Sequence, residues 1–169
     1  MKANVLKALN EQWNAEYYSA YLYMAMSAYA EQAGFKGAAN WLFEQAREEA
    51  AHAEHIYEHI LERGGTPAFS DIKSPPVKYK NLKDVFAKVA EHEKRVTGMI
   101  DAIANLAQDE RDHATYNFIM WFVDEQIEEV ADAEDLLGKV TLIGDNPGAL
   151  LSLDATLAQR KFKNPFHKD

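Results

Sequence analysis

Apolar residues recur along this chain at alternating intervals of three and four, with polar residues between them, in four long runs. The first runs from about Asn4 to Gly34 through Leu6, Leu9, Trp13, Glu16, Ala20, Tyr23, Ser27 and Ala30. The second runs from about Gly37 to Arg63 through Leu42, Ala46, Glu49, His52, Ile56 and Ile60. The third follows Asn81, a good helix cap, and reads Leu82, Phe86, Val89, Glu93, Val96, Ile100, Ile103 and Ala107. The fourth follows Asp112 and reads Ile119, Phe122, Gln126, Glu129, Ala133, Leu136 and Val140. This spacing places each set on one helix face, and strand-like alternation is scarce. The pattern predicts four long helices packed on their apolar seams.

The breaks between the runs set the topology. Gly34 and Gly37 close a short first connection, and Gly64-Gly65 ends the second helix. A loop from Gly65 to Asn81 then carries Pro67, Pro75 and Pro76. Its roughly 17 residues reach about 55 Å when extended. A helix of about 27 residues is only about 40 Å long. The loop is therefore long enough to cross the bundle and let the second and third helices run parallel. Beyond Gly144, Asn146-Pro147 has the form of a cap followed by proline at the first helical position. It predicts a short fifth helix, about 147–159, with Leu150, Leu151, Leu153 and Leu157. Four helices already complete a bundle, so these leucines are expected to meet another subunit. The expected architecture is all-α: one domain over 1–169, with a bundle at about 4–140, the fifth helix, and a mobile tail over 161–169.

Each seam carries a polar residue where a packed core calls for leucine: Glu16, Glu49 with His52, Glu93, and Glu129 with Gln126. Glu16 and Glu49 lie about 12 residues into their helices, Glu93 about 11 and Glu129 about 17, which puts all four near mid-height in the bundle. An isolated buried carboxylate is costly and takes up a proton. Four together repel one another and call for cations. Carboxylate oxygens with one imidazole suit iron or manganese, and two divalent ions balance four carboxylates. Glu49 and His52, three residues apart, share one helix face. Tyr23 lies two turns from Glu16 on the same seam, within reach of a ligand carboxylate. Trp13, Trp41 and Trp121 read as packing residues. His55, His59 and His92 read as surface or inter-helix groups, and His113 as exposed.

Composition narrows the chemistry. There is no cysteine, so disulfides, zinc fingers and iron–sulfur clusters are excluded. The formal charge of −9, with no basic stripe, argues against nucleic acid. No apolar run is long enough to span a membrane and no signal region follows Met1, so a cytoplasmic location is expected.

In order and spacing, the chain resembles a prokaryotic non-haem ferritin over nearly its whole length. The resemblance rests on Leu9-Asn-Glu-Gln-Trp-Asn-Ala-Glu16-Tyr-Tyr-Ser-Ala-Tyr-Leu-Tyr23, on Glu48-Glu49-Ala-Ala-His52 and on Glu91-His92-Glu93. It rests also on Asn117-Phe118 and on Trp121-Phe-Val-Asp-Glu125-Gln126-Ile-Glu128-Glu129. It implies a ferritin-like bundle, up-down-down-up, and a ferroxidase that uses O2 or peroxide. Glu16, Glu49 and His52 match the ligands of one iron. Glu93 and Glu129 match those of a second, with Glu49 bridging and Gln126 beside the oxygen-binding space. Tyr23 matches a tyrosine near the first iron. Glu48, Glu125 and Glu128 match a third, weaker iron site toward the inner surface of a shell. The resemblance further implies a homo-oligomer of 24 subunits storing ferric oxide, the fifth helix at a fourfold contact, and Asp109, Glu110 and Asp112 beside iron-entry channels. Val130 stands where several relatives carry another Glu, and Ala50-Ala51 replaces bulkier residues. A bacterioferritin or another di-iron carboxylate enzyme calls for a second Glu-x-x-His on the fourth helix. Here Asp132 follows Glu129 by three. Ala50 stands where bacterioferritins place the haem-binding Met, so no haem is expected. A structural cage without turnover is the alternative of a different class.

Overall fold

A computed structural model of the chain describes residues 1–166. It contains α1 (Ala3–Gln32), α2 (Lys36–Glu62), α3 (Leu82–Asp109), α4 (His113–Ile143) and α5 (Pro147–Leu157), and no strand among the described residues. The helices begin where their side chains stop the orphan N–H groups. Asn81, Asp112 and Asn146 each accept from the backbone N–H three residues on, at Asp84, Thr115 and Ala149. Pro147 occupies the first turn of α5.

α1 pairs with α2 and α3 with α4, as two helical hairpins. Ser19 meets His92 and Tyr23 meets Glu93, while Tyr29 meets Tyr79 ahead of α3, so α1 and α3 run antiparallel. Trp41 packs on Phe86 near the start of both α2 and α3, and Ile56 and Ile60 share a cluster with Val96 and Ile100 farther along. α2 and α3 are therefore parallel. The segment 63–81 makes the crossover along α1: Asn10 accepts from Ala68 N–H, Asn14 reaches the Ser70 carbonyl, and Trp13 meets Phe69 edge-on. Almost every seam position is buried; Leu6 and Ser27 are partly covered.

Two apolar clusters fill the bundle. One holds Tyr23, Leu42, Phe86, Val89, Leu136 and Val140; the other holds Leu9, Trp13, Ile56, Ile60, Val96, Ile100, Ile119 and Phe122. The polar seam residues lie between them in sequence on all four helices.

The fifth helix departs from expectation. Leu153 and Leu157 are buried in the chain's own first cluster, whereas Leu151 stays exposed. α5 docks on the start of α2, where the Asp154 carboxylate accepts from Ala38 N–H at 2.8 Å. Gly37 permits this approach: a Cβ there would lie 1.7 Å from the Asp154 carbonyl oxygen. So α5 completes one end of this subunit's core before it can serve a neighbour. The tail also differs from a free end. Phe162 N–H donates to Glu44, and Phe166 stacks on His55. Residues 167–169 of the expected mobile tail lie outside the described residues.

Gly37→Ala is expected to push α5 off α2 and to cost about 1–3 kcal/mol, the scale of overpacking. A denaturation midpoint and a protease sensitivity around 145–157 equal to those of the wild type would contradict this close packing.

Candidate metal centre

The buried polar residues converge on the middle of the bundle. Glu16, Glu49, His52, Glu93, Gln126 and Glu129 are all buried, none more than 7% exposed. Glu16, Glu49 and His52 each offer a ligand atom within 4.8 Å of the others. Glu129 joins them through Gln45, whose Nε2 lies 2.9 Å from both Glu129 oxygens and 3.0 Å from Glu49 Oε1. Glu93 accepts a hydrogen bond from the Tyr23 hydroxyl. Thr97 Oγ1 lies 2.9 Å from Gln126 Oε1. Gln12 Nε2 donates to Glu16 at 2.7 Å.

The seam pattern alone did not reveal Gln12, Gln45 and Thr97. A signal for each was present, since Thr97 stands four residues after the seam glutamate Glu93. Gln12 and Gln45 each stand four residues before a seam glutamate, the spacing at which a helix brings side chains together.

Burial sets the charge of the cluster. It pushes the Glu16 carboxyl well above the usual carboxylate range, and the Glu49 charge adds to the effect. Burial, with Glu49 and Glu93 nearby, does the same to Glu129. Glu93 is pushed up to about 8 by burial and by Glu49. Burial also raises the Tyr23 hydroxyl well above its ordinary value, with Glu93 adding to it. Glu49 is the exception. Burial works to raise it, but contact with His52 and Gln45 outweighs burial and holds it below the ordinary value. His52, for its part, is lowered by burial and raised more strongly by Glu49. Without metal, the surroundings favour the ionised forms of Glu49 and His52 and the protonated forms of Glu16, Glu93 and Glu129.

Several atoms there are left without partners. Glu16 Oε2, His52 Nε2 and Glu93 Oε2 are buried and make no hydrogen bond. A buried polar atom without a partner costs about 1–3 kcal/mol. Here such atoms belong to a set of oxygens and one imidazole suited to an oxygen-loving transition metal. The residues present fit metal ions.

A second group borders the first. Glu48, His52 and Glu125 also bring ligand atoms within 4.8 Å of one another, on the α2–α4 face. Glu128 is exposed and stands outside this group. Each helical residue turns about 100°, so Glu128 points about 100° away from Glu129, toward solvent. His59 and His92 are buried between helices, against Thr115 and Ser19, and both are pushed down to about 4, chiefly by burial. His113 is exposed at the start of α4. Asp112 caps α4 and pairs with Arg63 at 2.9 Å. Glu110 pairs with Lys2.

Residues 6–143 match the model of the ferritin family, described as a ferritin-like domain. The chain belongs to the ferritin family. It is 38% identical over 162 residues to a bacterial non-heme ferritin of Staphylococcus epidermidis, covering 96% of this chain and 98% of that protein. The counterpart in Staphylococcus aureus is 36% identical over the same length. Among solved structures, a closed form of the Archaeoglobus fulgidus ferritin made by site-directed mutagenesis superposes with a TM-score of 0.95 at 42% identity, covering 96% of this chain and 99% of that one. The open-pore ferritin of the same archaeon gives 0.94 at 42%, over 95% and 99%. The expected all-α ferritin-like bundle with a short fifth helix is thereby shown. No helix among the described residues is long and apolar enough to cross a membrane.

A ferritin-family centre that stores protons on Glu16, Glu93 and Glu129 must release them to bind cations. Divalent metal affinity is therefore expected to rise with pH through about 8, where Glu93 ionises. The same raised carboxyls make the metal-free protein lose stability as pH climbs from about 4.5 toward 8, because the unfolded chain holds fewer protons there. Titration calorimetry in buffers of different ionisation enthalpy reads the protons released. Binding at pH 6 that releases none would contradict the protonated cluster.

Proposed function

We propose that this chain is the subunit of an iron-storage protein and that it oxidises Fe(II) to Fe(III) in the middle of its own bundle. The observation that carries the proposal is the buried layer of four glutamates and one histidine with unmet ligand atoms. Glu16, Glu49 and His52 hold one Fe(II). Glu93 and Glu129 hold the second, with Glu49 shared and Gln126 beside the space left for the oxidant. Two Fe(II) ions bring four positive charges to four carboxylates once the carboxyl protons have left. Each iron gives up one electron. The two electrons and two protons convert O2 to hydrogen peroxide, or convert peroxide to two waters. Tyr23 holds Glu93 through its hydroxyl and is placed to relay an electron or a proton. Iron is substrate and cargo here, and the protein supplies ligands, orientation and negative charge.

Glu48 and Glu125, with Glu128 on the solvent side, are the next station for a third ion on its way to the store. Asp109, Glu110 and Asp112 favour cations at the turn between α3 and α4, although Asp112 and Glu110 are already engaged by Arg63 and Lys2. Ala50, where a haem-binding methionine would stand, supports a haem-free protein.

Storage needs an enclosure. The proposed assembly is a homo-oligomeric shell of 24 subunits in the cytoplasm, as the resemblance implies. Exposed Tyr21, Met24, Phe43 and Ile72 around one apolar groove of α1 and α2 support a subunit contact on that face. The exposed Leu151 and Leu142 offer a second contact near α5.

Glu49→Ala combined with His52→Ala is expected to slow the growth of ferric absorbance after Fe(II) addition in air at least about tenfold, since even weaker perturbations around metal ligands cost that much. A rate equal to the wild type rejects the ferroxidase reading and leaves a passive cage. Light scattering of the purified protein is expected to report a particle of many subunits. A monomer rejects the shell.

A further inference from the structure

Beyond α5, residues 158–166 stay on the bundle. They lie across the α2–α4 face, over the cluster of Glu48, His52 and Glu125. Arg160 Nη2 donates to Glu48 Oε2 at 2.6 Å, and its guanidinium sits 4.2 Å from the centre of the Trp41 ring. Asn40 and Glu44 tie the tail's backbone at the Arg160 carbonyl and the Phe162 N–H. Farther on, Phe166 stacks on His55 with ring centroids 3.9 Å apart, and meets Trp121 at 4.6 Å and His52 at 6.2 Å.

Two details make this contact more than packing. A guanidinium cannot lose its charge, so Arg160 is a fixed cation in a group of acidic ligands. It is also incompletely held, because its Nη1 is buried without a partner. Beside it, His52 is 2% exposed and its Nε2 has no partner either. The group therefore has an unused ligand atom and one acidic ligand, Glu48, already taken by a built-in positive charge.

We propose that Arg160 is an internal stand-in for a cation at the Glu48, His52 and Glu125 cluster, and that a divalent ion takes this site only by displacing Arg160 and lifting the strap 160–166. Arg160 is thus a positioning residue for the outward passage of iron. It keeps Glu48 occupied while the buried centre is empty and yields when an ion arrives at His52. Phe166 is the cover that moves with it. The inference rests on the reading of this cluster as the third ion's station.

The test uses zinc, a redox-silent divalent ion, with the iron-free, full-length assembled protein. Zinc bound per subunit is counted by equilibrium dialysis while tryptophan emission is followed, since Trp41 and Trp121 both touch the strap. The step belonging to the face cluster is the one removed by Glu125→Gln. In Arg160→Gln that step is expected to tighten about tenfold, the scale of one charge-assisted contact that no longer competes. In Arg160→Lys, which keeps the charge, it should stay near the wild-type value. In the wild type the step carries an emission change, and Phe166→Ala makes it smaller. Equal affinity in wild type and Arg160→Gln overturns the strap and leaves the metal site standing. No such step in either protein overturns the strap and the third-station reading together, while the buried two-metal centre is judged by its own zinc steps.

Discussion

Four carboxyl groups in the dry middle of a helical bundle set the terms for everything else in this protein. Each carboxylate there lacks the water that would stabilise its charge, and each raises its neighbours' cost further. The chain answers in two ways. Gln12, Gln45, Tyr23 and Thr97 supply neutral hydrogen bonds, and His52 beside Glu49 favours that carboxyl's ionised form. The remaining atoms are left unmet. That residue of unpaired lone pairs is what a metal ion uses, so the cost of folding without metal is the source of affinity for it.

The long helices follow from the same constraint. A layer that contributes no apolar burial must be carried by apolar burial on either side. Trp13, Ile56, Ile60, Ile100 and Phe122 provide it at one end, and Leu42, Phe86, Val89 and Val140 at the other. α5 adds Leu153 and Leu157 to the second end. Without them that end would present exposed apolar surface beside the start of α2, where Gly37 and Asp154 now meet.

Much of this was legible in the chain. The seams, the caps at Asn81, Asp112 and Asn146, and the common height of Glu16, Glu49, Glu93 and Glu129 all follow from helical spacing, which is a local property. What escaped is set by approach between distant segments. Gly37 reads as a turn residue, yet its function is to let the backbone of Asp154 come close. Arg160 stands between the fifth helix and the expected tail, with no role read for it, yet it meets Glu48, 112 positions away. Only the docking of α5 brings those partners together, and no periodicity encodes that. Glu128, three residues after Glu125 and on the same side of α4, is exposed and does not join the Glu48, His52 and Glu125 group. Gln45 lies one position off the α2 seam, so the apolar pattern passes it over although it bridges Glu49 and Glu129.

The centre is lopsided, and its lopsidedness gives it a direction. Among the described residues, one imidazole belongs to both ligand groups: His52 is shared by the buried cluster with Glu16 and Glu49 and by the face cluster with Glu48 and Glu125. A ligand shared between two sites couples their occupancy, because an ion drawing on His52 from the face weakens the hold of the buried site on its own ion. Glu93 and Glu129 belong to neither group. In the proposed route between the bundle's middle and its surface, the residues bordering His52 are Glu48, Trp121, Phe166 and, through Glu48, Arg160. With Asp132 where a second histidine would stand on α4, the proposed route draws on the imidazole of His52.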